Sequence, residues 1–371
     1  MRVLLVFGTR PEAIKMAPLV KAFQSDSRFI VSTCVTAQHR EMLDQVLNLF
    51  EISPDFDLDI MRPGQTLPNI TSEIIARIDV VLKEFKPDLV FVHGDTTTSF
   101  SAALSAYYNR IPVAHIEAGL RTGDIYSPWP EEANRRLIGT LARWHFAPTE
   151  IAKNNLLRED VPDANIVITG NTVIDALFWV KDKLEASFAV EENLWPGFAK
   201  MRPTSKKILI TAHRRENFGK GFTEIFSAIA ELSVKFPEVD FVYPVHMNPN
   251  VRGPARNLLS NLSNVHLCEP LDYLPFVHIM TKSHIILTDS GGIQEEAPAL
   301  GKPVLLLRNN TERPDAVEAG TVKLVGTNRT EIVSSVSLLL ESECAYSTMS
   351  HAKNPYGDGN ACLRIIEKLV D

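Results

Sequence analysis

The sequence predicts an α/β protein with two doubly wound domains that face each other across a cleft. The chain has 371 residues, which exceeds the usual domain size of about 150 residues. Short apolar runs alternate with amphipathic stretches along the whole chain, as in βαβ units that cover a parallel sheet on both faces. This alternation pauses between about residues 175 and 205 and then restarts. We therefore expect domains at 1–170 and 171–357, with a helix at about 358–371 that packs back on the first domain.

Each predicted strand is a continuous run of aliphatic and β-branched residues, which is typical of strands buried on both faces. In the first domain the runs lie at 3–7, 30–35, 89–92, 112–116, 145–147 and 166–169. Helices are predicted to begin at about Glu12, at about Arg40 and after Thr96. In the second domain the runs lie at 207–211, 241–243, 265–267, 285–288 and 303–307, and 361–370 has helical spacing.

Composition excludes several classes of protein. The formal net charge of −7 argues against a surface that binds nucleic acid or anionic lipid. No apolar run approaches the ~18 residues of a membrane span, and the four cysteines form no C-x-x-C pair, so we expect a cytoplasmic protein with reduced thiols.

Two cofactor motifs and one metal motif are also missing. The dinucleotide motif G-x-G-x-x-G and the P-loop do not occur, and the ten histidines include no H-E-x-x-H. We expect neither a cofactor nor a metal. Asp57, Leu58 and Asp59 form a D-x-D pattern in an irregular acidic stretch, which we interpret as a solvated turn.

Ligands of doubly wound sheets bind where strands end and helices begin. After the run at 285–288 the chain continues with Ser290, Gly291 and Gly292, where two glycines would let backbone N–H groups approach a pyrophosphate. The alternative is a tight turn with Ser290 as N-cap. Glu296 would then accept hydrogen bonds from ribose hydroxyls.

Cations follow other strands. Arg10 and Lys15 come after the first strand, His213 follows the strand at 207–211, and Arg313 comes after the strand at 303–307. These residues suit a diphosphate, although Arg10 and Lys15 are equally consistent with ordinary surface charge at a helix start.

Three carboxylates come from consecutive strand-to-helix junctions. They are Asp95, Glu117 and Glu131. Carboxylates gathered at one sheet edge repel, which raises the proton affinity of at least one and suits it to proton transfer. The alternatives are an N-cap role for Asp95 and i,i+4 pairs of Glu131 with Arg135 and of Glu132 with Arg136 at a helix start.

Seven segments resemble those of the non-hydrolysing bacterial UDP-N-acetylglucosamine 2-epimerases, and the resemblance covers essentially the whole chain. The segments are FGTRPEAIKMAP at 7–18, VHGDTTT at 92–98, HIEAGLRT at 115–122, PEEANR at 130–135, ITGNTVID at 168–175, AHRREN at 212–217 and TDSGGIQEEAP at 288–298. The resemblance implies two Rossmann-like domains of the glycosyltransferase B type. It also implies interconversion of UDP-GlcNAc and UDP-ManNAc, through loss of UDP and a 2-acetamidoglucal intermediate, for surface-polysaccharide or cell-wall precursors.

The resemblance also implies roles for individual residues. Asp95, Glu117 and Glu131 would form the acid/base set, and His213 would assist at the diphosphate. The substrate-binding residues would be Arg10, Lys15, Asp95, Glu117, His213, Leu271, Phe276, Ser290, Gly291, Gly292, Glu296 and Arg313. At Leu271 some family members have a polar residue, so any contact from this position would come through its backbone.

A homodimer and activation by UDP-GlcNAc itself are further implications. The activator would contact Gln38, Arg40, Arg214 and His246. Three other functions stay open from the residues: a UDP-sugar glycosyltransferase, a hydrolysing epimerase and a non-catalytic nucleotide-sugar sensor. The glycosyltransferase gives no reason for three carboxylates at consecutive junctions.

Overall fold

The computed structural model describes residues 1–37, 40–62, 64–186 and 194–370. The chain divides into two compact units. The N-terminal unit comprises Met1–Ala176 and Tyr356–Asp371, and the C-terminal unit comprises Leu177–Pro355. Among the described helices, none is long and apolar enough to cross a membrane. All four cysteines are free.

The N-terminal unit contains a parallel sheet of seven strands. The strands are β1 Arg2–Phe7, β2 Ile30–Val35, β3 Phe56–Asp57, β4 Leu89–His93, β5 Val113–Ile116, β6 Trp144–Ala147 and β7 Ile166–Ile168. Their order is β3-β2-β1-β4-β5-β6-β7. Strand β1 lies between β2 and β4, with Val3 opposite Val31 on one side and Leu89 on the other. The side chains of β1 from Val3 to Phe7 are fully buried, as expected for a strand with helices on both faces.

Helices follow most of these strands. They are α1 Arg10–Gln24, α2 Arg40–Leu49, α3 Leu67–Phe85, α4 Thr97–Tyr108, α5 Glu131–Leu141, α6 Glu150–Arg158 and α7 Thr172–Ala186. Helix α1 begins two residues before the predicted start, because Thr9 caps it and forms a capping box with Glu12.

The C-terminal unit repeats the design with six parallel strands. They are β8 Lys207–Thr211, β9 Asp240–Pro244, β10 Val265–Cys268, β11 Ile285–Thr288, β12 Val304–Leu306 and β13 Val322–Leu324, in the order β10-β9-β8-β11-β12-β13. Its helices are α8 Lys220–Lys235, α9 Pro249–Leu259, α10 Tyr273–Lys282, α11 Gly291–Ala299, α12 Pro314–Glu318, α13 Arg329–Glu341 and α14 Glu343–Ser350.

The last helix, α15 Ala361–Val370, belongs to the N-terminal unit, where it packs against α1. The carboxylate of Asp175 accepts hydrogen bonds from the backbone N–H groups of Ala361 and Cys362 at 3.2 and 2.9 Å. Asp175 therefore satisfies two of the amide groups that a helix start leaves open. Buried Ile365 and Ile366 form the apolar side of this helix.

The two sheets have the same strand order over their first six strands. The predicted fold class of two doubly wound α/β units is confirmed. In such sheets the order reverses at one point, here between β1 and β4 in the first sheet and between β8 and β11 in the second. Ligands bind at the carboxyl ends of the strands that flank this switch point.

The edge strands β3 and β13 lie outside the predicted runs and are only two and three residues long. Runs this short carry no periodic signal, and pairing with a neighbouring strand decides them. The expected solvated turn at Asp57, Leu58 and Asp59 was wrong in part: Asp57 lies in β3 and pairs with Val35 of β2, and Leu58 is buried.

Candidate active site

The loops at the switch point of the N-terminal sheet carry ionisable side chains. Lys15 of α1 and Glu117, which follows β5, form an ion pair although they lie 102 residues apart in the sequence. Their side chains are only 12% and 9% exposed. Removal of either partner from a buried pair of this kind would leave an uncompensated charge.

Glu117 is held in an unusual backbone conformation. Its φ angle is +61°, in the left-handed region that non-glycine residues enter at a cost of roughly 1–2 kcal/mol. Besides Lys15, the side-chain amide of Asn171 donates to Oε2 of Glu117 at 2.6 Å. Such strain persists only where the surroundings impose it, and it concentrates at functional sites.

His93 lies next to Glu117 but carries no charge at neutral pH. Its Nε2 is 3.8 Å from Oε2 of Glu117 and has no hydrogen-bond partner among the described residues. Burial lowers the pKa of His93 to about 4. Lys15 is therefore the positive charge beside Glu117.

Asp95 follows β4 and is paired with Arg135 of α5, with Oδ2 and Nη2 2.6 Å apart. The N-cap of α4 is Thr96, whose hydroxyl accepts from the N–H of Ser99, so the alternative role of Asp95 as N-cap is excluded. The pKa of Asp95 is raised by burial and, further, by the charges of Glu117 and Glu131. Arg135 acts in the opposite direction. The structure thus brings Asp95 close enough to the other two carboxylates for their charges to interact.

Glu131 and Glu132 begin α5 but differ in environment. Glu131 is half-buried and not paired with Arg135. Glu132 is fully buried and binds the guanidinium groups of Arg135 and Arg136 at 3.1 and 3.2 Å. The predicted pair of Glu132 with Arg136 is confirmed, whereas Arg135 binds Asp95 and Glu132 in place of Glu131.

Glu12 of α1 connects two loops of the same region through hydrogen bonds. One carboxylate oxygen accepts from the backbone N–H groups of Gly8 and Thr9 at 3.0 and 2.8 Å. The other accepts from the hydroxyls of Thr96 and Ser99 at 2.6 and 3.0 Å. The carboxylate therefore ties the loop after β1 to the loop after β4, and its burial raises its pKa.

Arg10 occupies the first position of α1 and is half-buried. A helix start and a guanidinium together form a favourable environment for a phosphate group.

A pocket of about 200 Å³ lies at the corresponding edge of the C-terminal sheet. Five of the predicted residues line it: His213, His246, Leu271, Phe276 and Ser290. They come from loops after β8, β9, β10 and β11 and from α10, so the sheet topology assembles them. Phe276 and Leu271 are half-buried and give one part of the pocket an apolar wall.

His213 in this pocket contacts a buried carboxylate. Its Nδ1 lies 3.2 Å from Oδ1 of Asp289, and its ring stacks on that of His246 with centroids 5.6 Å apart and an interplanar angle of 18°. The pKa of His213 is lowered by burial and, further, by His246 and Arg214. Asp289 opposes this shift.

The glycines after β11 begin α11, with Ser290 as N-cap residue, although the Ser290 side chain makes no capping hydrogen bond. At Gly291 a Cβ atom would come within 2.7 Å of Nη1 of Arg313. Absence of a side chain at Gly291 thus makes room for Arg313. The guanidinium of Arg313 binds Glu295 at 2.6 Å and Glu312 at 2.9 Å.

Glu296, the predicted ribose ligand, is buried in α11. The hydroxyl of Tyr273 donates to its Oε1 at 2.6 Å. This hydrogen bond orients the carboxylate from one side.

The residues predicted to bind an activator lie in both units. Gln38 is outside the described residues. Arg40 begins α2 and pairs with Asp57 and Asp44. Arg214 lies 3.6 Å from Glu312, and His246 belongs to the pocket described above. Within the described ranges, no group of three or more His, Cys, Asp or Glu residues could hold a metal ion.

Sequence reasoning missed four residues of these sites: Glu12, Asn171, Tyr273 and Asp289. Three of them lie inside the motifs at 7–18, 168–175 and 288–298, so position within a motif was the available signal. Tyr273 lies in no such motif, and only the packing of α10 against α11 reveals its bond to Glu296.

Comparison with known proteins shows the family of this chain. The family model described as UDP-N-acetylglucosamine 2-epimerase matches residues 21–370. The UDP-N-acetylglucosamine 2-epimerase of Yersinia pestis is 61% identical over 369 residues, which cover 100% of this chain and 98% of the relative.

Solved structures are also similar to this chain over its whole length. The UDP-GlcNAc 2-epimerase from Neisseria meningitidis bound to UDP-GlcNAc is 58% identical, with a TM-score of 0.90 and full coverage of both chains. The Methanocaldococcus jannaschii enzyme in complex with UDP-GlcNAc and UDP is 34% identical, with a TM-score of 0.79 and coverage of 100% of this chain and 99% of that one.

A glycosyltransferase of kitacinnamycin has a TM-score of 0.67 at 12% identity, covering 99% of this chain and 98% of that chain. This likeness shows that the two doubly wound units belong to the glycosyltransferase B type of fold. Sequence identity of about 60% along the whole chain indicates a shared family as well as a shared fold. Together with the match of the family model, it establishes that the chain belongs to the UDP-N-acetylglucosamine 2-epimerase family.

Proposed function

We propose that this protein is an isomerase that interconverts UDP-N-acetylglucosamine and UDP-N-acetylmannosamine at C2 without net hydrolysis. The observation that carries the proposal is the pairing of Glu117 with Lys15 and Asn171, next to Asp95. A UDP-sugar glycosyltransferase gives no reason for three carboxylates at consecutive junctions, whereas an epimerase requires groups that remove and return a proton.

The chemistry explains why both anion-binding and acid/base groups are required. The hydrogen on C2 has no neighbouring carbonyl group and is too weakly acidic for direct removal by a carboxylate. Cleavage of the bond between C1 and the UDP oxygen places positive charge on the ring, which acidifies this hydrogen. A carboxylate then takes the proton, the C–H electron pair forms the C1–C2 double bond of 2-acetamidoglucal, and UDP leaves with the C1–O pair.

Return of a proton to the opposite face of C2, with addition of the UDP oxygen to C1, gives the epimer. Proton and leaving group are both recovered, so no redox step occurs. We assign proton transfer to Asp95, Glu117 and Glu131. The raised pKa of Asp95 favours a protonated form that can return a proton at neutral pH.

UDP binding is assigned mainly to the C-terminal unit. Phe276 and the backbone at Leu271 would contact uracil, and Glu296 would accept from the ribose hydroxyls. The N-terminal end of α11 at Ser290, Gly291 and Gly292 would face the diphosphate. His213, Arg313, Arg10 and Lys15 would offset the charge that develops on the leaving diphosphate.

Proton NMR of the purified protein with UDP-GlcNAc in heavy water tests the proposal. We expect the C2 proton signal to disappear while UDP-ManNAc grows to a constant ratio. Free ManNAc and UDP as the main products would indicate a hydrolysing epimerase. An unchanged spectrum despite binding would indicate a transferase or a sensor and would refute the proposal.

We also propose a cytoplasmic homodimer that UDP-GlcNAc activates through Arg40, Arg214, His246 and Gln38. Light scattering coupled to size-exclusion chromatography measures the oligomer. If activation exists, trace UDP-GlcNAc accelerates conversion of UDP-ManNAc, and Arg40→Ala abolishes this acceleration. Equal rates with and without UDP-GlcNAc would exclude activation.

A further inference from the structure

Asp289 links the two loops that flank the switch point of the C-terminal sheet. It follows β11 directly and is fully buried. Its Oδ2 accepts from the backbone N–H groups of His213 and Arg214, both at 2.8 Å, and from the side-chain amide of Asn217 at 3.2 Å. These three bonds hold the loop after β8 and occupy one carboxylate oxygen.

The other oxygen, Oδ1, faces the imidazole of His213. It lies 3.2 Å from Nδ1 and has no hydrogen-bond partner among the described residues. The two atoms are within hydrogen-bond distance, although their present geometry does not form a hydrogen bond. Catalytic hydrogen bonds are often this loose before substrate binds.

We propose that Asp289 is a positioning residue for His213, which it holds with a proton on Nδ1 and stabilises as the imidazolium ion. The proposal rests on the proposed function, in which His213 acts at the diphosphate. A neutral imidazole with its proton on Nδ1 presents an unprotonated Nε2. The imidazolium donates Nε2–H to the phosphate oxygen that leaves C1, and it takes no part in breaking the C2–H bond.

Two groups besides Asp289, together with burial, bear on the charge of His213. His246 stacks on its ring, accepts the backbone N–H of Asn248 at Nδ1 over 3.1 Å, and disfavours the imidazolium ion of His213. Arg214 disfavours the imidazolium ion, as does burial. Asp289 is the described group that favours it, and the charges of a bound diphosphate would act in the same direction.

Asp289→Asn tests the proposal with little disturbance of the loop. The amide oxygen of Asn can still accept from the N–H groups of His213 and Arg214. Its NH₂ group then faces Nδ1 of His213 and favours the opposite tautomer. We expect kcat to fall about 100-fold, the affinity for UDP to change less than about threefold, and the alkaline fall of kcat to begin at lower pH. In a His213→Asn background the same change should cost less than about threefold.

Asn217→Ala is the matched control, because it removes a donor to Oδ2 and leaves Oδ1 free to face His213. It should not move the alkaline limb of kcat. Independent losses in Asp289→Asn and His213→Asn that multiply in the double variant would overturn the proposal.

NMR of ¹⁵N-histidine-labelled wild-type protein gives a readout that needs neither turnover nor a folded variant. We expect His213 to be protonated on Nδ1 above its pKa, and a proton on Nε2 there would overturn the proposal. If the wild-type protein carries out no epimerisation, the proposed function fails while this tautomer measurement still decides the role of Asp289.

Discussion

In the N-terminal unit the region after β1, β4 and β5 presents charged side chains, whereas the pocket at the corresponding edge of the C-terminal unit is lined by two imidazoles, small polar groups and an apolar wall. Lys15, Glu117 and Asp95 belong to the first set. His213, Ser290 and Phe276 belong to the second. The strand order at both switch points is the same. The fold therefore supplies the position of a site, and the loop residues supply its chemistry.

Carboxylates in the two units also differ in the groups with which they interact. In the N-terminal unit Asp95 interacts with Glu117 and Glu131 as well as with Arg135, which favours proton exchange. In the C-terminal unit Glu295 and Glu312 are both paired with Arg313, and Asp289 accepts from the N–H groups of the β8 loop. The first arrangement suits acid/base chemistry and the second suits a rigid binding surface.

Loss of a carboxylate in the N-terminal set should have the largest effect. Glu117→Gln keeps the size of the side chain but cannot take a proton, so we expect kcat to fall about 1,000-fold. UDP affinity, measured by calorimetry, should change less than about twofold. Glu150→Gln, at an exposed glutamate of the same unit, is the control. Unchanged turnover in Glu117→Gln would remove the catalytic assignment.

Arg10→Ala should affect UDP binding although Arg10 lies in the N-terminal unit. Arg10 lies in the N-terminal unit but is expected to bind diphosphate, so both UDP affinity and kcat/KM should fall about 10- to 100-fold. Exposed Arg28 provides the control Arg28→Ala. A fall in kcat with unchanged UDP affinity would place Arg10 with the acid/base groups.

Acid should destabilise the N-terminal sheet more than the C-terminal sheet. Burial lowers the pKa values of His93, His115 and His145 on adjacent strands to about 4, 3 and 4. Among the described residues of the C-terminal strands and their flanks, His284 has a comparable pKa of about 4. The unfolded chain binds protons near pH 6.5, so stability is complete above that pH and is lost as the pH falls toward 4.

At pH 5 each of the three histidines should cost about 2 kcal/mol, or roughly 30-fold in the opening equilibrium. Hydrogen exchange followed by mass spectrometry, corrected for intrinsic rates, should show β4 to β6 losing more protection between pH 7 and 5 than β8 to β12. His145→Asn should reduce this loss, and His351→Asn, at an exposed site, should not. Equal losses in the two sheets would contradict the prediction.

The smallest effect is expected at the edge of the nucleotide site. Tyr273→Phe removes one hydrogen bond that orients Glu296, so KM should rise about three- to tenfold with little change in kcat. Tyr346→Phe removes a hydroxyl elsewhere in the same unit and should leave KM unchanged. A fall in kcat alone would assign Tyr273 to the reaction rather than to ribose binding.

The sequence by itself determined the fold class and the loops that carry the site. Continuous apolar runs followed by glycine, acid or base residues are local signals, and strands such as β1 and β11 depend on little else. The resemblance of seven segments likewise identified the family before any geometry was known. What local pattern could not supply was the pairing of groups far apart in the chain.

Tertiary structure alone decided those pairings. Glu117 meets Lys15 and Asn171 because parallel strands bring their carboxyl ends to one edge, at sequence separations of 102 and 54 residues. Arg135 selects Asp95 rather than Glu131 because α5 lies beside the loop after β4. Burial, which raises the pKa of Glu12 and lowers that of His93, depends on every element packed around a residue. Such properties belong to the folded chain, because charge and hydrogen bonding respond to distance in space and not to distance in sequence.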